Sequence, residues 1–181
     1  MLKFLLLSMF CFFHTSYLSA QELIPFKDNA PLTCDLYWTK GFDYLEEDRF
    51  SETLNLIENL VTNNLGSCKN LQTDYLVLKK TLVEKDKVKS EKALTRFIIT
   101  GILIDLAHLN IIDDELERRQ TIQILFKELI AIQKYAKRLN FNTYRDLVIS
   151  FRRLNQLVRN KPQINLFIDD NLMIQKILEG C

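Results

Sequence analysis

Asp105 and His108 lie three residues apart in an apolar stretch, which puts them on one face if that stretch is helical. A carboxylate that orients an imidazole can make it a general base. A nucleophile would have to come from elsewhere, and the chain has no Gly-x-Ser-x-Gly elbow and no reactive-cysteine motif. The expected role of Asp105 and His108 is a buried polar pair bridging neighbouring helices. Asp113, Asp114 and Glu117 have the look of an acidic metal-binding helix, but they open a predicted helix, where acids suit the positive end of the helix dipole. No pair of carboxylates stands out for glycoside hydrolysis. No glycine-rich phosphate loop or dinucleotide fingerprint is present.

Cysteine supplies the next candidates. Cys34, Cys68 and Cys181 remain once the first twenty residues, with Cys11, are set aside. Three cysteines imply one pair and one leftover thiol. Cys34 immediately precedes the first predicted helix, and Cys68 follows the second by a few residues. A hairpin of two helices returns its end to the pole where it began, so the expected disulfide is Cys34–Cys68, with Cys181 as the odd thiol. Three widely spaced cysteines and a single histidine, His108, do not make a zinc pattern. No metal or cofactor is expected.

Charge points to a surface rather than a reaction. Residues 21–68 carry nine acids against three bases, whereas residues 134–161 carry eight bases against Asp146 alone. The formal net charge of +1 hides this separation. Arg145, Arg152 and Arg159 recur at intervals of seven and form one stripe of a predicted helix, opposite Leu147, Phe151, Leu154 and Val158. The stripe suits an anionic partner, whether an acidic protein, a phosphate-bearing polymer or a lipid headgroup, and the acidic first hairpin is the other candidate binding surface. Near-balanced charge and the export signal below argue against nucleic acid.

The elements that must position these residues are helices. Only four glycines and three prolines occur in 181 residues, and the prolines sit at positions 25, 31 and 162. Strand-rich domains need more turn residues than this. The predicted helices cover residues 35–47, 50–62, 71–85, 90–110, 113–139, 144–160 and 172–179. Lys161-Pro162 is read as a stop and Asp169-Asp170 as the cap of the last helix. Short loops make sequential helices antiparallel neighbours. The fold class is therefore all-α: about seven helices in antiparallel hairpins, arranged as a repeat array or an up-and-down bundle.

Before these helices stands a secretory signal pattern: Lys3, the apolar run 4–13, small and polar residues, and Ala20 at a cleavage position. The run is too short to span a bilayer. The chain divides into a signal peptide, 1–20, and a single helical domain, 21–181, destined for the periplasm or the extracellular space. Residues 97–112 form the most apolar later run, but it is short and carries Asp105 and His108, so it reads as a core helix without stable membrane insertion.

Gly41, Tyr44, Phe50, Thr53, Ile57 and Leu60 fall, without gaps across the turn, on the marked positions of a tetratricopeptide repeat, and residues 36–61 resemble one such unit. Lys40 stands where that family prefers Leu, the closing Pro near Leu65 is missing, and the pattern does not recur at 34 residues. The resemblance implies a small residue at Gly41 for close helix approach, Tyr44 and Phe50 filling the space between helices, and protein binding without catalysis. The expected function is that of an exported, non-catalytic helical protein that binds another protein. The alternatives are a small lysozyme-like hydrolase of the cell envelope, and a secreted helical inhibitor, immunity or signalling protein.

Overall fold

The computed structural model describes residues 34–61 and 68–180. The expected signal peptide and the lead-in to the first helix lie outside them, as does the side chain of Cys34. Among the described residues there are nine α-helices, one 3-10 turn and no strand. The protein is all-α.

Helix α1 (Cys34–Glu46) and α2 (Phe50–Val61) are joined by a tight turn in which Asp48 takes a left-handed conformation, φ 58°. Arg49 closes the turn. Its guanidinium lies 4.2 Å from the Tyr44 ring centroid and bonds Glu47 and Glu52, each at 3.1 Å. Thr53 is fully buried and its hydroxyl donates to the Arg49 carbonyl. Gly41 is buried, yet a Cβ placed there would meet only Leu94 Cδ2 at 3.5 Å and Leu56 Cδ2 at 3.7 Å, ordinary contacts.

Helix α3 (Lys69–Val83) turns into α4 (Lys87–Ala107) through Lys85, φ 55°, and Asp86, whose carboxylate accepts from the Lys89 N–H and caps α4. The two helices run back along each other. The Thr100 hydroxyl donates to Asp74 Oδ2 at 2.6 Å, and the Tyr75 and Phe97 rings lie 6.4 Å apart. Helix α4 is the centre of the molecule. It is long and apolar enough to cross a membrane by length and composition, but 78% of that window is buried inside the protein. Its neighbours are α1, α3, α5 (Glu115–Ala131), α6 (Gln133–Leu139) and α9 (Leu172–Leu178). Trp38 of α1 meets Phe97 edge-on, and Phe42 stacks on Tyr135 of α6 at 3.7 Å. Burying such large rings removes much apolar surface from water, at about 25 cal/mol per Å².

Three expectations need correction. The long helix predicted over 113–139 breaks at Ile132, where φ −95° and ψ 6° separate α5 from α6. Pro162 does not end helical structure. Helix α7 (Phe141–Leu157) closes at Val158, and Pro162 sits in the first turn of α8 (Lys161–Asp169), where its missing N–H costs nothing. Asn160 caps α8 by accepting from the Gln163 N–H. The last helix is capped by Asn171, which accepts from Met173 and Ile174, rather than by Asp169-Asp170.

Arg118 was not singled out in the sequence, yet it is a buried junction. At 3% exposure, its Nε donates to the Val158 carbonyl, and its Nη1 donates to the carbonyls of Ile112 and Asp113, at 2.6 to 3.1 Å. It ties the start of α5 to the end of α7. Lys161 bridges to Asp113 at the same junction.

Candidate interaction surface

Helix α7 begins where Asn140 Oδ1 accepts from the Thr143 N–H at 3.1 Å. From there its sequence alternates burial and exposure with helical period. Leu147, Phe151, Leu154 and Val158 are all within 2% of full burial, as the sequence placed them. Arg145, Arg152 and Arg159 are exposed on the other side. The exposed side is more than a row of charge. Phe141 is 60% exposed and Ile149 53%, so apolar side chains interleave with the arginines.

The three arginines are not equivalent. Arg145 pairs with its neighbour Asp146 at 3.1 Å. Arg159 lies beyond the end of α7 and pairs with Glu115 of α5 at 3.3 Å while remaining 78% exposed. Arg152 has no charged or aromatic partner among the described residues. Arg153, next to it, sits over the Phe167 ring of α8 at 5.1 Å. Exposed pairs of this kind hold little energy, about 0–1 kcal/mol each, so a better anionic partner can take them over.

The acidic N-terminal hairpin is spent differently. Glu46 accepts from Lys134 Nζ at 2.8 Å and from the Tyr135 hydroxyl at 2.6 Å. The Lys134 bond, then the Tyr135 bond, holds the Glu46 carboxyl below its ordinary range. Burial, then the Glu46 bond, pushes the Tyr135 hydroxyl well above its own. Asp48 pairs with Lys87, Glu47 and Glu52 with Arg49, and Glu58 with Lys79. The acids that looked like a second binding surface are largely answered within the chain.

Asp105 and His108 share one end of the core, but no hydrogen bond joins them. Asp105 is 7% exposed, and its Oδ1 has no partner; nor does the buried Nδ1 of His108. The expected polar pair is therefore not formed. The α-helix tightens into the 3-10 turn His108–Asn110 at that point, which ends the α-helical register on which the pairing was based. Burial alone pushes the Asp105 carboxyl up to about 8 and pulls the His108 imidazole below its ordinary value. At neutral pH, Asp105 is mostly protonated and His108 neutral. Asn165 Oδ1 of α8 is likewise buried without a partner.

Among the described residues no group of three or more His, Cys, Asp or Glu side chains is placed to hold a metal ion. Cys68 is 7% exposed and is not a free thiol. The fold and surface thus define an all-α domain with a mixed basic and apolar helix face. No known protein family, curated protein or solved structure matches the chain.

Proposed function

We propose that this is an exported, non-catalytic helical protein that binds an acidic surface of another protein through the outward face of α7. One contrast carries the reading. The acidic hairpin's exposed charges are answered within the chain, Glu46 by Lys134 and Tyr135 and Asp48 by Lys87, whereas Arg152 has no charged partner among the described residues and lies on a face with exposed Phe141, Arg145 and Ile149. An arginine beside exposed apolar side chains is the composition of a protein-binding patch. The leader pattern of residues 1–20 supports export. Of the two architectures expected from the sequence, the return of α9 to α3 and α4 supports a closed bundle over an open array of tetratricopeptide-like units.

Titration against poly-L-glutamate, with poly-L-lysine as control, tests the surface. Binding should weaken as salt rises, because exposed charges are screened over about 8–10 Å. The triple substitution Arg145→Gln, Arg152→Gln, Arg159→Gln should weaken it about tenfold and leave the melting midpoint in place. Binding that ignores both salt and the substitutions would show the arginines to be only a solvated face.

A further inference from the structure

We propose that the turn of the α3–α4 hairpin docks peripherally on a membrane surface of anionic phospholipid, with Val83 and Val88 entering the headgroup layer and Lys85, Lys92 and Arg96 meeting the phosphates. Among the described residues twelve large apolar side chains are exposed, and four of them, Leu76, Val77, Val83 and Val88, fall on this one hairpin. Apolar exposure gathered in one place marks a contact surface, whereas single exposed side chains need no explanation. Val83 and Val88, 65% and 60% exposed, flank the turn on its two sides. Leu76 lies seven residues before Val83, two turns back on the same face of α3.

The backbone holds these side chains in place. The Asp86 N–H donates to the Thr81 carbonyl at 3.2 Å, and the Asp86 carboxylate accepts from the Lys89 N–H at 3.0 Å, so the turn through Lys85 is bonded to both helices. Charge then selects the occupant. Residues 79–96 carry seven bases against three acids. Glu84 is answered by Lys80 and Asp86 by Lys89, and Glu91 is half-buried on α4. The side chains of Lys85, Lys92 and Arg96 are exposed and make no hydrogen bond or ion pair among the described residues. Positive charge is therefore left over around the aliphatic tip, and its complement is an anionic surface.

Composition separates this surface from the α7 face. Protein interfaces are enriched in arginine and aromatic side chains and depleted in lysine. The α7 face has arginines beside Phe141, whereas residues 76–96 are rich in lysine and contain no aromatic side chain. Lysine is a point charge on a long apolar stem, which lies along lipid while the ammonium stays among phosphates. Basic side chains around an aliphatic face are how an interfacial element holds to anionic lipid. The contact is peripheral, made by a few side chains of the turn, and no helix crosses. It shares no residue with the α7 face.

Flotation of the full chain with lipid vesicles tests this. Vesicles of phosphatidylcholine with about one-third phosphatidylglycerol should carry the protein up the gradient at low salt, and vesicles of phosphatidylcholine alone should not. Lys85→Gln, Lys92→Gln and Arg96→Gln together should weaken binding roughly a hundredfold, and Val83→Ser with Val88→Ser about tenfold, each with the melting midpoint in place. Arg145→Gln, Arg152→Gln and Arg159→Gln together should leave vesicle binding unchanged, which separates this surface from the α7 reading. No binding to the anionic vesicles, or binding that survives both sets of hairpin substitutions, overturns the proposal. So does vesicle binding lost only with the three α7 arginines. Poly-L-glutamate binding that falls with the hairpin charges, in a protein that ignores the vesicles, would assign the turn to an acidic protein instead.

Discussion

Arg118→Leu should destabilise the protein by about 3–5 kcal/mol, measured by denaturant unfolding. The substitution keeps an apolar stem and removes the guanidinium. The carbonyls of Ile112, Asp113 and Val158 then lose their charged donor inside the fold. Orphaned buried acceptors keep their desolvation cost and lose the bond that offset it. Arg118→Lys should recover only part of the loss, because one ammonium cannot reach carbonyls on two sides as a fork can. A loss below about 1 kcal/mol would mean that water replaces the donors and that the junction between α5 and α7 does not depend on Arg118.

Asp105→Asn should have the opposite sign and depend on pH. The native carboxyl, raised from 3.8 to about 8, holds its proton more tightly than the unfolded chain does. Between about pH 4 and pH 8 the native state therefore binds more protons, and stability falls as pH rises through that window. Each pKa unit is about 1.4 kcal/mol, so the burden at pH 9 is on the order of 5 kcal/mol. Asn is nearly the same shape and carries no charge. The variant should match its parent near pH 4 and exceed it increasingly towards pH 9. Melting midpoints across that range decide the matter, and parallel curves would show that Asp105 ionises freely. His108 acts in reverse. Its burial favours the neutral ring, so stability is lost as pH falls below the imidazole's ordinary 6.5.

The α7 face is legible in the sequence because its arginines and its core residues follow helical spacing, and that spacing needs no tertiary information. The helix ends were less legible. Pro162 reads equally well as a stop or as a first-turn residue. The choice was made by Asn160, whose side chain caps the next helix. The break at Ile132 has no glycine or proline to announce it, since local propensity favours helix straight through residues 127–139. Arg118 was invisible for a different reason. A charged residue on a predicted helix is normally solvated, and only the meeting of α5 with the end of α7 buries it. The spacing of Asp105 and His108 correctly suggested a shared region of the core. It carried no information on whether their polar atoms would find partners.

The outward face of α7 is proposed to meet a partner protein. Photo-crosslinking in the producing cells tests it most directly. A benzoylphenylalanine at Ile149 probes this face, and one at Leu76, 64% exposed on α3, serves as the comparison. A discrete protein adduct is expected from position 149 in the exported fraction, lost when Arg145 and Arg152 are both changed to Gln, with no such adduct from position 76. An adduct from position 76 with none from position 149, or one from 149 that survives the arginine changes, would contradict it.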